Sequence, residues 1–322
     1  MTSESTAIAR TVAGEVRVNE LGVTLPHEHL IHRISIHSGR DDNTCVDTDL
    51  VADEMRIFAE AGGGTICDVT PVGVGRDPTA LREVSEKSGV RVISAIGIYQ
   101  AEVWPDELRG ESRADIADFI VREATGETTG IAAGFIGEIA SHNEDHSDWR
   151  KYQLWEQEVK LFHATADAQR RTGLFVSTHA SNGRQGMAQM RAMIEAGGDP
   201  ERIVIGHCDM HVHEDVELDF DYYHALLAEG ASLEFDLFGW DEGMPDSARF
   251  PRIAALVDEG HTHRILLSTD TCRLSQLHSY GGRGLDYLFT TIIPGLRGAG
   301  VSEDAIHQMT VANPARLLAI GK

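Results

Sequence analysis

The stretch "GLFVSTHA", residues 173–180, runs apolar for half its length and then turns polar at its C-terminal end. A strand with one wet face alternates apolar and polar residues, whereas a strand covered on both faces is apolar throughout, as in a parallel sheet wrapped by helices. Seven more stretches read the same way: "GVTLPHEH" (22–29), "GTICDVT" (64–70), "RVISAIGIY" (91–99), "AGFIGEIA" (133–140), "RIVIGHCD" (202–209), "ASLEFDLF" (231–238) and "RILLSTD" (264–270). Amphipathic segments such as 150–171, 184–197, 216–229 and 247–260 lie between them, several closed by glycine just before the next strand, the usual helix stop. Strands alternating with helices at about 30–40 residues per unit predict a (β/α)8 TIM barrel of class α/β, one domain over residues 1–322.

A doubly wound sheet is the second architecture to weigh. Its dinucleotide loop would need glycines after a strand, but those of "AGGGT" (61–65) precede one. Ahead of the barrel, "TVAGEVRVNELG" (11–22) has the alternation and glycine punctuation of a short N-terminal β-hairpin. At the other end, "TVANPARLLAI" (310–320) predicts a helix with Asn313 as N-cap and Pro314 in its first position.

Composition narrows the partners. The 322 residues carry a formal net charge of −23, which repels nucleic acid and anionic membranes. No apolar run reaches the ~18 residues of a membrane-spanning helix, and "MTSESTAIAR" lacks a secretory layout. Cys45, Cys67, Cys208 and Cys272 are widely spaced with no C-x-x-C pair, so reduced thiols in a cytoplasm are expected.

Reactive residues of a barrel enzyme sit at the C-terminal ends of its strands. Taken in order, those ends supply His27 and His29, Glu138, His179, His207 and Asp270. Residues two apart on a strand share a face, so His27 and His29 point together. A lone histidine such as His163 or His224 reads as a packing residue; four histidines and two carboxylates at one mouth need a common cause. Nitrogen and oxygen donors of this mix suit zinc, with manganese, cobalt or iron as substitutes. Six donors exceed the three of a usual catalytic zinc, so two divalent ions sharing a carboxylate are expected.

These motifs resemble the amidohydrolase superfamily, and the phosphotriesterase family in particular. The likeness is carried by "GVTLPHEHL" (22–30), "GIY" (97–99), "STHA" (177–180), "IGHCD" (205–209), "STD" (268–270) and "GGRGLDYLFTTIIPGLR" (281–297), and runs from about residue 12 to the C-terminus. It implies a binuclear hydrolase with one metal on His27, His29 and Asp270, the other on His179 and His207, and a hydroxide bridging the pair. Many family members bridge the metals with a carboxylated lysine on strand 4. No lysine falls on a predicted strand here, and Glu138 stands in that place, as in the branch called phosphotriesterase homology proteins. A homodimer is expected from the resemblance alone.

Within that reading Asp270 is ligand and catalytic base, passing a proton from the attacking hydroxide to the leaving group. Asp209 and His224 are open to two roles, as relays behind the metals or as members of surface salt bridges. Tyr99 resembles the tyrosine lining the pocket of the family's lactonases. After strand 7, Phe238, Trp240 and Met244 offer an apolar wall. After strand 8, Arg273 offers an anion partner, or pairs with Asp236 or Glu242, and Gly281, Gly282 and Gly284 suggest loop movement. The leading expectation is a lactone of N-acyl homoserine type or a related ester, favoured by the apolar wall, with weak phosphotriesterase side activity; the alternatives come from Arg273. Arg273 favours an anion: an N-acylated amino acid cut at its amide, or a sugar-lactone phosphate. A non-catalytic binding protein on the same barrel should have lost a ligand, and none is missing.

Overall fold

The computed structural model describes residues 7–143, 148–180, 184–210, 216–240 and 244–320. Eight parallel strands form one sheet in chain order: β1 (Val23–Glu28), β2 (Gly63–Asp68), β3 (Arg91–Ile98), β4 (Phe135–Ala140), β5 (Val176–His179), β6 (Ile203–Ile205), β7 (Ser232–Phe235) and β8 (Ile265–Leu267). The sheet curls until its edges meet. Asp270 N–H donates to the His27 carbonyl at 3.2 Å and His29 N–H to that of Thr271 at 3.1 Å. Buried Glu28 reinforces the seam, accepting from Thr269 N–H (2.8 Å), Thr271 N–H (2.7 Å) and the hydroxyls of Ser268 and Thr269. This is the (β/α)8 barrel expected from the sequence.

The covering helices are α1 (Thr48–Glu60), α2 (Pro78–Ser88), α3 (Arg113–Thr125), α4 (Glu156–Thr172), α5 (Gly186–Glu195), α6 (Val216–Glu229) and α7 (Asp246–Asp258). Local chemistry sets their ends: the Asp47 side chain accepts from the N–H groups of Asp49 and Leu50 to start α1, and Asp77 does the same for α2, with Pro78 in the first turn. Among the described residues no helix is long and apolar enough to cross a membrane. All four cysteines are free and buried.

The lower end of the barrel is plugged by Leu21, Cys67, Ile93, Phe135, Phe175, Val204 and Leu266, with Phe135 and Phe175 stacked 4.8 Å apart. The N-terminal hairpin covers this plug, its strands being Ile8–Thr11 and Gly14–Arg17, so it begins and ends earlier than 11–22. The terminal helix Asn313–Leu318 packs there too, but Asn313 is not its N-cap. The helix continues from a π turn over Gln308–Ala312, and the buried Asn313 amide donates to the carbonyls of Thr262 (2.8 Å) and Ile265 (2.7 Å), tying the helix to β8.

Candidate metal centre

Two of the strands are shorter than their sequences suggest, and the reason lies in the candidate ligands. Strand β6 stops at Ile205 and β8 at Leu267, because the chain turns at His207 (φ 55°) and Asp270 (φ 44°). A positive φ on a side-chain-bearing residue costs about 1–3 kcal/mol and is typically kept where it aims a functional group. His207 is held in this conformation by its N–H, which donates to the Asp236 carboxylate at 3.0 Å. Glu138 has its own constraint: Gly97 on β3 lies so close that a Cβ there would sit 2.3 Å from the Glu138 carbonyl oxygen, so only glycine lets β3 and β4 approach.

All six expected residues converge. The imidazole centroids of His27 and His29 are 6.1 Å apart, those of His27 and His207 5.0 Å, and those of His179 and His207 4.4 Å. Glu138 lies among them with its oxygens divided. Oε1 stands 3.7 Å from His29 Nε2, while Oε2 stands 2.7 Å from His179 Nδ1, 3.6 Å from His27 Nε2 and 3.8 Å from His207 Nε2. Asp270 Oδ1 lies 3.4 Å from His29 Nε2 and 3.9 Å from His27 Nε2. His27, His29 and Asp270 thus form one close donor group, and His27, Glu138 and His207 another, with ligand atoms in each within 4.8 Å of one another.

Each ring is held from behind through its other nitrogen. His27 Nδ1–H donates to Glu234 Oε2 at 2.9 Å, and His207 Nδ1–H to Asp236 Oδ1 at 2.9 Å. His29 Nδ1 meets the Thr70 hydroxyl at 3.0 Å, and His179 Nε2 the Tyr99 hydroxyl at 3.2 Å. Histidines that bind metals are oriented this way. The front nitrogens fit a cation: His27 Nε2 is buried with no hydrogen-bond partner, and His207 Nε2 faces His179 Nδ1 at only 2.8 Å. Two imidazole nitrogens turned toward each other, beside a carboxylate that splits its oxygens, suit divalent ions.

The electrostatics agree. Burial would push the Glu138 carboxyl up, but the imidazoles of His179, His27 and His29 outweigh it and hold the group well below the usual carboxylate range. Burial would lower His207, yet Asp236 and Asp270 raise it to about 9. His27 is likewise raised against its burial, by Asp236, Glu234 and Glu138. The acids here far outweigh fixed cations and call for positive charge.

The mouth above this cluster is a cavity of about 450 Å³ bounded by Tyr99, Leu237, Met210, Trp240, Arg40 and Arg273, with His37 at its edge. Arg273 stacks over the Trp240 ring at 4.2 Å, while Asp236 is committed to the histidines and Glu242 lies outside the described residues. Phe238 does not line the mouth. The chain leaves β7 at Phe235, Leu237 takes the mouth-facing place, and Phe238 turns outward, fully buried against Phe250. Met244 is buried as well and is not part of the wall. Asp209 is no surface residue: it is buried, bonded to the buried Arg249 at 2.7 Å, and accepts from Leu237 N–H. His224 is no relay either, being an exposed partner of Glu259. Gly282 serves close packing, since a Cβ there would lie 2.2 Å from the Gln276 backbone.

Glu234, Asp236, Thr70 and Arg40 escape the sequence reading. A signal existed for the first two, because "EFD" places two acids one residue apart in an otherwise apolar strand. Arg40 lies in an irregular segment after β1, where no periodicity speaks.

A buried cluster of imidazoles and carboxylates at the C-terminal mouth of a (β/α)8 barrel defines a class of metal-dependent hydrolases. Within it, this chain belongs to the Phosphotriesterase family, whose sequence profile matches residues 8–318. It is 29% identical to an N-acetyltaurine hydrolase of Danio rerio over 359 aligned residues, covering 98% of this chain and 99% of the relative. The crystal structure of the phosphotriesterase homology protein from Escherichia coli, complexed with phosphate in its active site, superposes with a TM-score of 0.85 at 30% identity, covering 93% of this chain and 99% of that one. A mutant of a PTE-like lactonase from Deinococcus radiodurans superposes with a TM-score of 0.81 at 31% identity, covering 96% and 99%. The chain is an enzyme, a hydrolase of this family.

Proposed function

We propose that the chain is a binuclear metal-dependent amide hydrolase that cuts small N-acylated compounds bearing an anion, such as N-acyl amino acids or N-acyl aminosulfonates. His27, His29 and Asp270 would hold one divalent cation and His179 and His207 the other, with Glu138 between them; zinc suits this donor set best. Two such ions, when bound, lower the pKa of a shared water and polarise a carbonyl oxygen. Asp270, at the rim beside the cavity, takes the proton from the attacking water and delivers it to the departing amine nitrogen. Tyr99 steadies His179 through its hydroxyl.

The observation that carries the substrate choice is the pair Arg40 and Arg273 on the wall of a mouth in a chain of net charge −23. Guanidinium groups kept at a cavity in so acidic a protein are suited to a carboxylate or sulfonate. The N-acetyltaurine hydrolases among the relatives support the same choice. A second reading, a lactonase, is favoured by the apolar stretch of wall from Leu237, Met210 and Trp240. The test is a panel of N-acetyltaurine, N-acetyl amino acids, acyl homoserine lactones and a phosphotriester, with metal-loaded and chelator-treated protein. The anionic amides are expected to be cut fastest, and Arg273→Met to raise KM for them about tenfold with kcat nearly unchanged. Lactone opening with the amides left intact would hand the case to the second reading.

A further inference from the structure

Strand β7 gives the centre no ligand, yet it aims two acids at it. Glu234 and Asp236 alternate with Leu233, Phe235 and Leu237, so both carboxylates point into the barrel beneath the histidines. Neither is reached by solvent. Asp236 stands between two imidazoles: His207 Nδ1–H donates to Oδ1 at 2.9 Å, while Oδ2 accepts the His207 N–H at 3.0 Å and lies 3.2 Å from His27 Nδ1. Glu234 Oε2 is the nearer partner of His27 Nδ1, at 2.9 Å, and among the described residues His27 is its one ion-pair partner. Glu234 therefore serves His27 alone, while Asp236 is shared between His207 and His27.

Resting on the binuclear reading above, we propose that Glu234 is a positioning residue for one cation only, the ion on His27, His29 and Asp270, whereas Asp236, which faces both His207 and His27, bears on both ions. A carboxylate behind an imidazole fixes the tautomer, so that Nε2 presents its lone pair forward, and raises the basicity of that nitrogen. His27 meets both conditions, its Nε2 being buried and without a hydrogen-bond partner. Charge gives a second reason. Glu138, Asp270, Glu234 and Asp236 crowd four carboxyl groups into one buried space, with Asp68 close to His29 besides, and divalent cations would offset them. Burying Glu234 without such a cation would leave a costly charge facing one imidazole. Glu234 thus tunes one ion of the pair by itself.

The test loads the whole protein with ¹¹³Cd, for which the wild type should give two resonances. Glu234→Gln keeps the side chain's size and an oxygen to accept from Nδ1–H, and removes only the charge. It should shift one resonance strongly and weaken that ion alone by about 10- to 100-fold in chelator competition. Asp236→Asn, which touches an imidazole of each ion, should by contrast move both resonances. Should Glu234→Gln fail to fold, Glu234→Asp, which keeps the charge but withdraws it from Nδ1, must move the same single resonance. Thermal unfolding of the metal-free variants supplies the fold control. Wild-type resonances and retention in the Glu234 variant, or equal weakening of both ions, would overturn the inference while leaving the binuclear reading intact. A single resonance from the wild type would overturn both.

Discussion

The two ends of the barrel are built by the same strands to opposite rules. On β4, Phe135 lies in the lower plug and Glu138 in the imidazole–carboxylate cluster; Phe175, just ahead of β5, and His179 at its end follow the same rule; beyond them come Val204 and His207, and Leu266 and Asp270. The change takes three or four residues, about 10–13 Å of strand. Below, apolar side chains are stacked and sealed, so the free energy comes from area removed from water. Above, charges are buried against one another, and the backbone is bent into positive φ at His207 and Asp270, the two non-glycine residues so placed among those described. The lower end therefore holds the fold and the upper end spends part of that stability on chemistry.

Substitutions should separate the two. The largest effect is expected from Asp270→Asn, which keeps the size of the side chain but ends its service as base. Turnover should fall by about 10²- to 10⁴-fold, while the metal-free protein still folds and unfolds in one cooperative transition. Steady-state kinetics and a melting curve on one preparation check both halves. Near wild-type turnover would remove Asp270 from the mechanism. Next comes Phe175→Ala at the other end. It opens a cavity against Phe135 and should cost about 3–5 kcal/mol in urea unfolding, while the folded enzyme keeps its metal content and its kcat. Lost metal binding in protein that is still folded would show that the ends are coupled and break the comparison.

How much of this was legible in the sequence follows the same division. The eight strands could be read because burial on both faces leaves unbroken apolar runs, and the six residues of the imidazole–carboxylate cluster because they come at or near the ends of those runs. The turns at His207 and Asp270 could not be read, since a non-glycine residue at positive φ is imposed by tertiary bonds such as Asp236 to the His207 N–H, which lie 29 residues apart in sequence. Phe238 was misplaced for a related reason. Alternation holds only while a strand lasts, and β7 ends three residues earlier. Asn313 has the residue type and the following proline of an N-cap, but the π turn before it and the carbonyls of Thr262 and Ile265 claimed its side chain instead. Local propensity lost there to long-range partners.

His32 belongs to the upper end yet faces away from the mouth, and it offers the finest cut between stability and chemistry. Its ring lies edge-on to His29 with centroids 5.9 Å apart, and Nδ1–H donates to the Asn43 carbonyl at 3.1 Å. Burial, helped by the His29 charge and only partly opposed by the Asn43 bond, lowers its pKa to about 3 from 6.5. The folded protein therefore keeps this imidazole neutral, whereas the unfolded chain takes up a proton as pH falls below 6.5. The stability tied to His32 is complete above that value and drains away as pH falls toward 3, by about 2 kcal/mol at pH 5. His32→Gln keeps a donor for Asn43 and cannot titrate. In urea unfolding of the metal-free proteins at pH 7 and pH 5, the wild type should lose about 2 kcal/mol more than the variant between the two conditions. Equal losses would mean that His32 protonates as easily folded as unfolded, and that the upper end is wetter at its margin than the burial of this ring implies.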